Sequence, residues 1–418
     1  MEATDQILAG LAEMRSALHE FYRDLHRHPE LSMQEVRTAA KAAERLREEG
    51  YEVVSGVGRT GVVGILENGD GPNVLLRADM DALPVREQTG FDYASTVTGT
   101  DSGGETVPIM HACGHDIHVT CLTAAAALLA RNRDRWAGRL MLVFQPAEEV
   151  GAGAQSMIED GLFERFGKPD VVLGQHVTPA PAGTIGWCPG TAMAAADSME
   201  IKLFGRGAHG SMPHVSIDPV VMAASLVLRL QRVVAREVDP NERAVLTVGS
   251  LHAGTRENII PSEASIKFNV RTFSPEVRRR VLDSIRRITN AEASASDAPR
   301  PPEFVPISQF PPLVNDPEAT GRTVAALAQQ FGEKRVAEQR PVNASEDFGM
   351  FGTAAGAPSV FWTFGGLDPT FVDSLRREGR AGEIPVNHSP FFAPVIEPTI
   401  TTGVEAMVAA ALGWLRVR

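Results

Sequence analysis

The chain is poor in cysteine. It has 3 in 418 residues, and Cys113, Cys121 and Cys188 are irregularly spaced. An odd, irregular set argues against the disulfide framework of a small secreted protein and fits a reducing compartment. Long apolar runs are missing as well: nothing approaches the ~18 consecutive residues that a membrane span requires. The first twenty residues, MEATDQILAGLAEMRSALHE, hold no basic patch followed by an apolar stretch, so the expectation is no secretory signal and a cytoplasmic location. Positive charge is in deficit. A net charge of −12 disfavours nucleic acid and anionic membranes as partners. An anionic small substrate would therefore need a local positive group.

What remains is an ordinary soluble composition, 43% hydrophobic and 22% charged, in a chain long enough for two domains. Apolar residues at Ile7, Leu8, Leu11, Met14, Leu18, Phe21 and Leu25 predict an amphipathic helix. A second helix is predicted over 34–49, closed by Gly50. YEVV, GVVGILE, NVLLRA, RLMLVFQ and DVVLGQ read as strands, with helices over VTCLTAAAALLARN and about 151–161. This alternation predicts an α/β catalytic domain with a mixed, largely parallel sheet flanked by helices. Beyond Gly190 the order becomes strand, helix, strand, strand, helix, which predicts an inserted α+β lid or dimerisation domain over 190–302. SASDAPRPPEF reads as a proline-rich linker. The catalytic domain would then comprise 1–189 and 303–418. GVGRTG (56–61) matches a dinucleotide-binding glycine pattern, but a strand-like VVGILE follows instead of the helix that pattern requires.

Polar clusters follow three of the predicted strands. Asp79 and Asp81 follow NVLLRA, Glu148 and Glu149 follow RLMLVFQPA, and His176 closes DVVLGQ. Ligands of open α/β sheets bind outside the carboxyl ends of the strands. MHACGHD precedes a helix, and Gly114 lets that loop turn tightly between Cys113 and His115. Thiolate, imidazole and carboxylate together suit zinc, manganese, cobalt or nickel better than magnesium or calcium. Asp116 is a candidate cap for the following helix, and His118, in its first turn, a packing residue. Two adjacent glutamates at a buried strand's exit are badly placed to be idle charges. One could ligate metal while the other takes a proton from activated water.

RADMDALP, MHACGHD, QPAEE, GQH, GAHGSMP, ENIIPSEA, NVRTF, ASEDF and NHSPFF, spread over residues 77–392, occur in this order. The set resembles the aminoacylase/carboxypeptidase superfamily of two-metal peptidases. Within it the chain is similar to the branch of hippurate hydrolase, auxin-conjugate hydrolase and N-acyl-amino-acid amidohydrolases, marked by Cys113. The resemblance implies two divalent metal ions, manganese or zinc with cobalt or nickel as further options, held by Cys113, His115, Glu149, His176 and His388. It implies Glu148 as general base and later proton donor, and Asp81 as the residue orienting a ligand. Asp79 stays outside the ligand set, and Glu346 and Asp347 match a motif without a derived role. His209, Asn258 and Arg271 correspond to residues that relatives use to hold substrate: Arg271 for its carboxylate and His209 for the developing oxyanion.

The reaction implied is hydrolysis of an N-acyl-L-amino acid to a carboxylic acid and a free amino acid. The protein would act on this small-molecule substrate as a homodimer formed through the inserted domain. The alternatives are a dipeptidase or carboxypeptidase on the same scaffold, and a non-catalytic binding homologue. Two departures stand out: Gln175 occupies a position that is often apolar, and the tryptophan that usually follows His176 is absent. For His19, His26, His28, His214 and His252 no metal is expected.

Overall fold

A computed structural model describes residues 2–418, and the chain divides into two compact units. The first comprises residues 2–192, 314–340 and 347–418; the second comprises 193–313 and 341–346.

In the first unit the amino-terminal helical region breaks near Gly10, so Leu11–Arg27 (α1) is a helix distinct from Glu2–Leu8. Its buried face carries Leu11, Leu18, Phe21, Tyr22, Leu25 and His26. Val36–Glu48 (α2) follows, then the strands Glu52–Val57 (β1), Gly61–Asn68 (β2) and Asn73–Asp79 (β3). GVGRTG is the turn of the antiparallel β1–β2 hairpin, with Arg59 at positive φ, so no helix meets it. His115–Arg131 (α3) precedes Trp136–Gln145 (β4), Val171–Pro181 (β5) and Ile185–Trp187 (β6).

After the second unit, Val336–Glu338 and Ser359–Leu367 complete the main path of the sheet. That path runs β1, β2, β4, β3, β5, 359–367, β6, 336–338. The four central strands are mutually parallel, and antiparallel pairs flank them. β3 and β4 are almost wholly buried, which is why they read as continuous apolar runs instead of alternating ones. α3 is buried around most of its circumference because it lies on the sheet and is packed by α1 and by the helix at Ile396–Leu412.

The second unit is a four-stranded antiparallel sheet built from Ala195–Phe204 (β7), Ala244–Ala253 (β8), Glu263–Thr272 (β9) and Glu303–Phe310 (β10). Its order is β8, β9, β7, β10, and Pro219–Glu237 (α4) and Pro275–Ala295 (α5) pack on it. Ile201, Leu203, Leu226, Leu230, Ile266, Val270, Val281 and Ile285 form its own core. This corrects the boundary expected at 302. Residues 303–310 pair along β7 as an edge strand, so the second unit continues to Leu313. Pro306 hid this strand, because proline is tolerated only at an edge or beside a bulge; here the register shifts between Ser198 and Met199, opposite Ser308 and Pro306. Among the described residues no helix is long and apolar enough to cross a membrane.

Candidate metal centre

Register puts the polar clusters at one end of the sheet. Asp79 is paired with Gln145 across β3 and β4, Arg77 with Gly174, and Thr363 with His176. The loop before α3 adds Cys113, α3 adds His115 as its first residue, and the loop at 387–389 adds His388. Potential ligand atoms of Cys113, Glu149 and His388 lie within 4.8 Å of one another; so do those of His115, Glu148 and Glu149, and those of Asp79, His115, His118 and His176.

Gly114 makes the first loop possible for two reasons. Its φ is 86°, and a Cβ there would lie 2.4 Å from Val177 Cγ1. α3 then begins at His115 with Gly114 as its cap. Asp116 is therefore inside the first turn and not the cap; its Oδ2 accepts from His26 Nδ1 at 2.7 Å. His388 also has positive φ, 71°, and its N–H donates to Ala112 O. The Asn387 amide donates to Cys113 O and Val177 O at 3.2 Å each, tying the two ligand loops together.

Hydrogen bonds decide which atoms are free to ligate. His176 Nδ1 donates to Val177 O at 2.7 Å, leaving Nε2 without a proton and facing Cys113 Sγ at 3.4 Å. His118 is fully committed: Nδ1 donates to Asp79 Oδ1, and Nε2 accepts the Val177 N–H at 2.8 Å. Asp79 Oδ2 takes Arg77 Nη1 at 2.5 Å, so both Asp79 oxygens are occupied. Asp81 receives the backbone N–H groups of Glu148 and Glu149 at 3.1 and 3.0 Å and the Ser32 hydroxyl at 2.6 Å. Its Oδ1 lies 3.3 Å from His115 Nδ1.

By contrast, both ring nitrogens of His115 and Oε1 of Glu149 are buried without a hydrogen-bond partner. Buried polar atoms normally find partners; with His115 Nδ1 facing Asp81, it is His115 Nε2 and Glu149 Oε1 that fit a bound cation. The electrostatics agree. Burial, then the fields of Glu149, Glu148 and Asp79, hold the Cys113 thiol far above its usual range, and burial raises Glu149 to about 8. Burial opposes charge on His115, yet Asp79, Asp81 and Glu149 outweigh it and lift its pKa to about 10. Divalent ions would compensate this excess of buried negative charge, and the sulfur, nitrogen and oxygen donors suit a transition metal.

The sequence-predicted residues Asp81, Cys113, His115, Glu148, Glu149, His176 and His388 thus come together in the first unit. His209 and Asn258 lie side by side in the second, where Ala208–His209 pairs with Ile259–Ile260. His209 Nδ1 lies 2.7 Å from Ser211 Oγ and 3.1 Å from Ser211 N, and the residue is exposed. Arg271, on β9, donates to Asn269 Oδ1, Asn343 O and Ser345 Oγ.

Sequence reasoning missed the support beneath the centre. Arg77 is buried and reaches Gln145 Oε1 at 2.8 Å, while Asp347 receives the Gln145 amide at 2.7 Å and Ala154 N–H at 3.1 Å. Asp347 therefore has a place, as the anchor of the Arg77–Gln145 pair. Gln175 is also structural, bonded to Gly403 O and Trp362 Nε1.

Residues 75–411 match the model of peptidase family M20/M25/M40. The chain is 39% identical over 351 residues to a hippurate hydrolase of Campylobacter jejuni, covering 82% of this chain and 87% of that protein. It is 34% identical to thermostable carboxypeptidase 1 of Saccharolobus solfataricus over 99% of both. A crystal structure of a dinuclear metal-binding M20 peptidase from Bacillus subtilis shares 30% identity and a TM-score of 0.74, over 96% of this chain and 98% of that one. Similarity of this depth, over nearly the whole length of each relative, makes the chain a member of peptidase family M20/M25/M40 and a metal-dependent hydrolase of amide C–N bonds.

Proposed function

We propose that the protein hydrolyses N-acyl-L-amino acids to a carboxylic acid and a free amino acid. The observation that carries this reading is the buried pair of atoms His115 Nε2 and Glu149 Oε1, neither with a hydrogen-bond partner, beside Glu148. Cys113, His115, Glu149, His176 and His388 would hold two divalent ions, manganese or zinc. Such ions supply Lewis acidity, polarising the scissile carbonyl and lowering the pKa of water toward ~7. Glu148 takes the proton from the attacking water and delivers it to the departing nitrogen, a contribution of roughly 10²–10⁴-fold. Asp81 keeps His115 oriented and fixes the backbone of both glutamates. Exposed His209 is read as the donor to the oxyanion, Arg271 as the partner of the substrate carboxylate, and Asn258 as a further substrate contact.

A second reading, cleavage of peptides from the carboxyl end, is favoured by the carboxypeptidase relative that matches over its full length. The test is amine release from N-acetyl, N-benzoyl and N-fatty-acyl amino acids and simple dipeptides. The protein is stripped, reloaded with manganese or zinc, and run beside Glu148→Gln. Metal-dependent cleavage of acyl substrates, lost in a Glu148→Gln variant that still binds metal, is expected. Preference for dipeptides would establish the second reading, and comparable turnover in the variant would remove Glu148 from its role.

A homodimer through the second unit is part of the same reading. β8 is an open edge strand exposing Val245 and Leu251, and α4 exposes Val221 and Leu228 one heptad apart. Three free cysteines support a cytoplasmic location.

A further inference from the structure

The turn that carries Glu148 and Glu149 is held by two buried carboxylates, and only one of them, Asp81, belongs to a strand exit. The other is Glu35, from the loop between α1 and α2. It is fully buried, and its Oε1 accepts the Ala147 N–H at 2.8 Å. Three successive backbone N–H groups are thereby fixed: Ala147 by Glu35, and Glu148 and Glu149 by Asp81. Ala147 sits at φ 50°, a left-handed conformation that residues with a side chain seldom adopt without support. Its carbonyl is held too, by the N–H groups of Ala152 and Gly153.

The loop that supplies Glu35 is itself pinned. Met33, at φ 64°, donates its N–H to Glu35 Oε1, Thr60 donates to Oε2 at 2.5 Å, and Ser32 next door donates to Asp81. Ala82 N–H donates to Glu30 O, anchoring the loop to the chain beyond β3. A fully buried carboxylate beside a second one is unfavourable unless its position is needed.

We infer that Glu35 is a positioning residue for the Glu148–Glu149 turn: its carboxylate fixes the Ala147 peptide in the conformation that aims the two glutamates. The expected effect on rate rests on the proposed role of Glu148, whereas the effect on the turn does not. Two readouts keep them apart, both on the full-length chain. The first is hydrogen exchange of the metal-free protein over residues 145–153. The second is kcat and KM of the manganese-loaded protein for the acyl substrate that the panel selects, with metal stoichiometry measured alongside.

Glu35→Ala is expected to speed exchange at residues 147–149 at least ~10-fold and to lower kcat ~100-fold, with KM within about threefold. Glu35→Gln retains an acceptor at the same place and is expected to stay near the parent in both. Glu35→Asp keeps the charge but withdraws the acceptor by one methylene, and is expected to be impaired. A role in charge balance alone would reverse the last two. If Glu35→Ala does not fold, the Asp and Gln variants decide by themselves. Parent-like exchange and kcat in Glu35→Asp, or equal defects in both, overturn the inference. If the unaltered protein cleaves nothing, the exchange readout still decides about Glu35, and only the proposed activity fails.

Discussion

Among single residues, His26 shows how much chemistry a helix face can conceal. It lies in the apolar stripe of α1 with Leu18, Tyr22 and Leu25, yet its ring bridges two buried carboxylates, Asp116 at 2.7 Å and Glu87 at 3.0 Å. Burial disfavours the imidazolium, but Asp116 and Glu87 overcome it and raise the pKa from 6.5 to about 9. Because the folded value lies above the unfolded one, the stabilisation is complete below about pH 6.5 and disappears as pH rises through 9. A shift of this size corresponds to about 3 kcal/mol. Urea unfolding at either end of that window should show the loss in the parent protein and not in His26→Gln. Equal pH dependence in the two would remove the buried ion pair as its source. The ring was partly legible in the sequence, since position 26 follows Tyr22 by one helical turn. Its partners were not, because Glu87 and Asp116 come from distant loops. Glu35, Ser32 and Asn387 escaped for the same reason: isolated polar residues in loops have the same appearance whether solvated or buried.

For whole elements, legibility followed burial pattern. β3, β4 and β5 are central and buried on both faces, so their apolar runs and the polar residues at their exits could be read directly. Ile185–Trp187 and Val336–Glu338, of three residues each, carry too little pattern to be seen. β10 was misread because Pro306 and an exposed alternation resemble a linker. Close packing between elements gives the sharpest prediction here. Gly114→Ala adds a Cβ 2.4 Å from Val177 Cγ1 at a φ of 86°, so α3 cannot start where it does unless the Val177 side chain or β5 moves. The expected cost is roughly 2 kcal/mol or more in unfolding free energy, together with weaker metal binding. Unfolding curves and metal titration check both; a parent-like protein would mean that the loop relaxes freely.

For the molecule as a whole, the two-unit organisation was visible as a change from alternating strands and helices to a compact α+β order. Its second boundary was displaced by the length of β10. The surface of the second unit leads to a prediction of its own. Val221 and Leu228, 65% and 73% exposed, lie on one face of α4 beside the open edge of β8. Leu228→Asp is expected to shift a dimer toward monomer, read as mass by light scattering across a dilution series. A parent protein that is monomeric throughout would remove this surface as an interface.

The place of 359–367 in the sheet has a consequence for how the protein is made. That strand fills the position between β5 and β6, although the whole 193–313 unit is translated before it. During synthesis β5 therefore waits with one edge unpaired while well over a hundred residues emerge, and an unpaired edge is where nascent chains aggregate. His388 arrives later still. The nascent chain can carry Cys113, His115, Glu149 and His176 outside the ribosome for some time, but it gains its last proposed ligand, His388, only after more than two hundred further residues have been added.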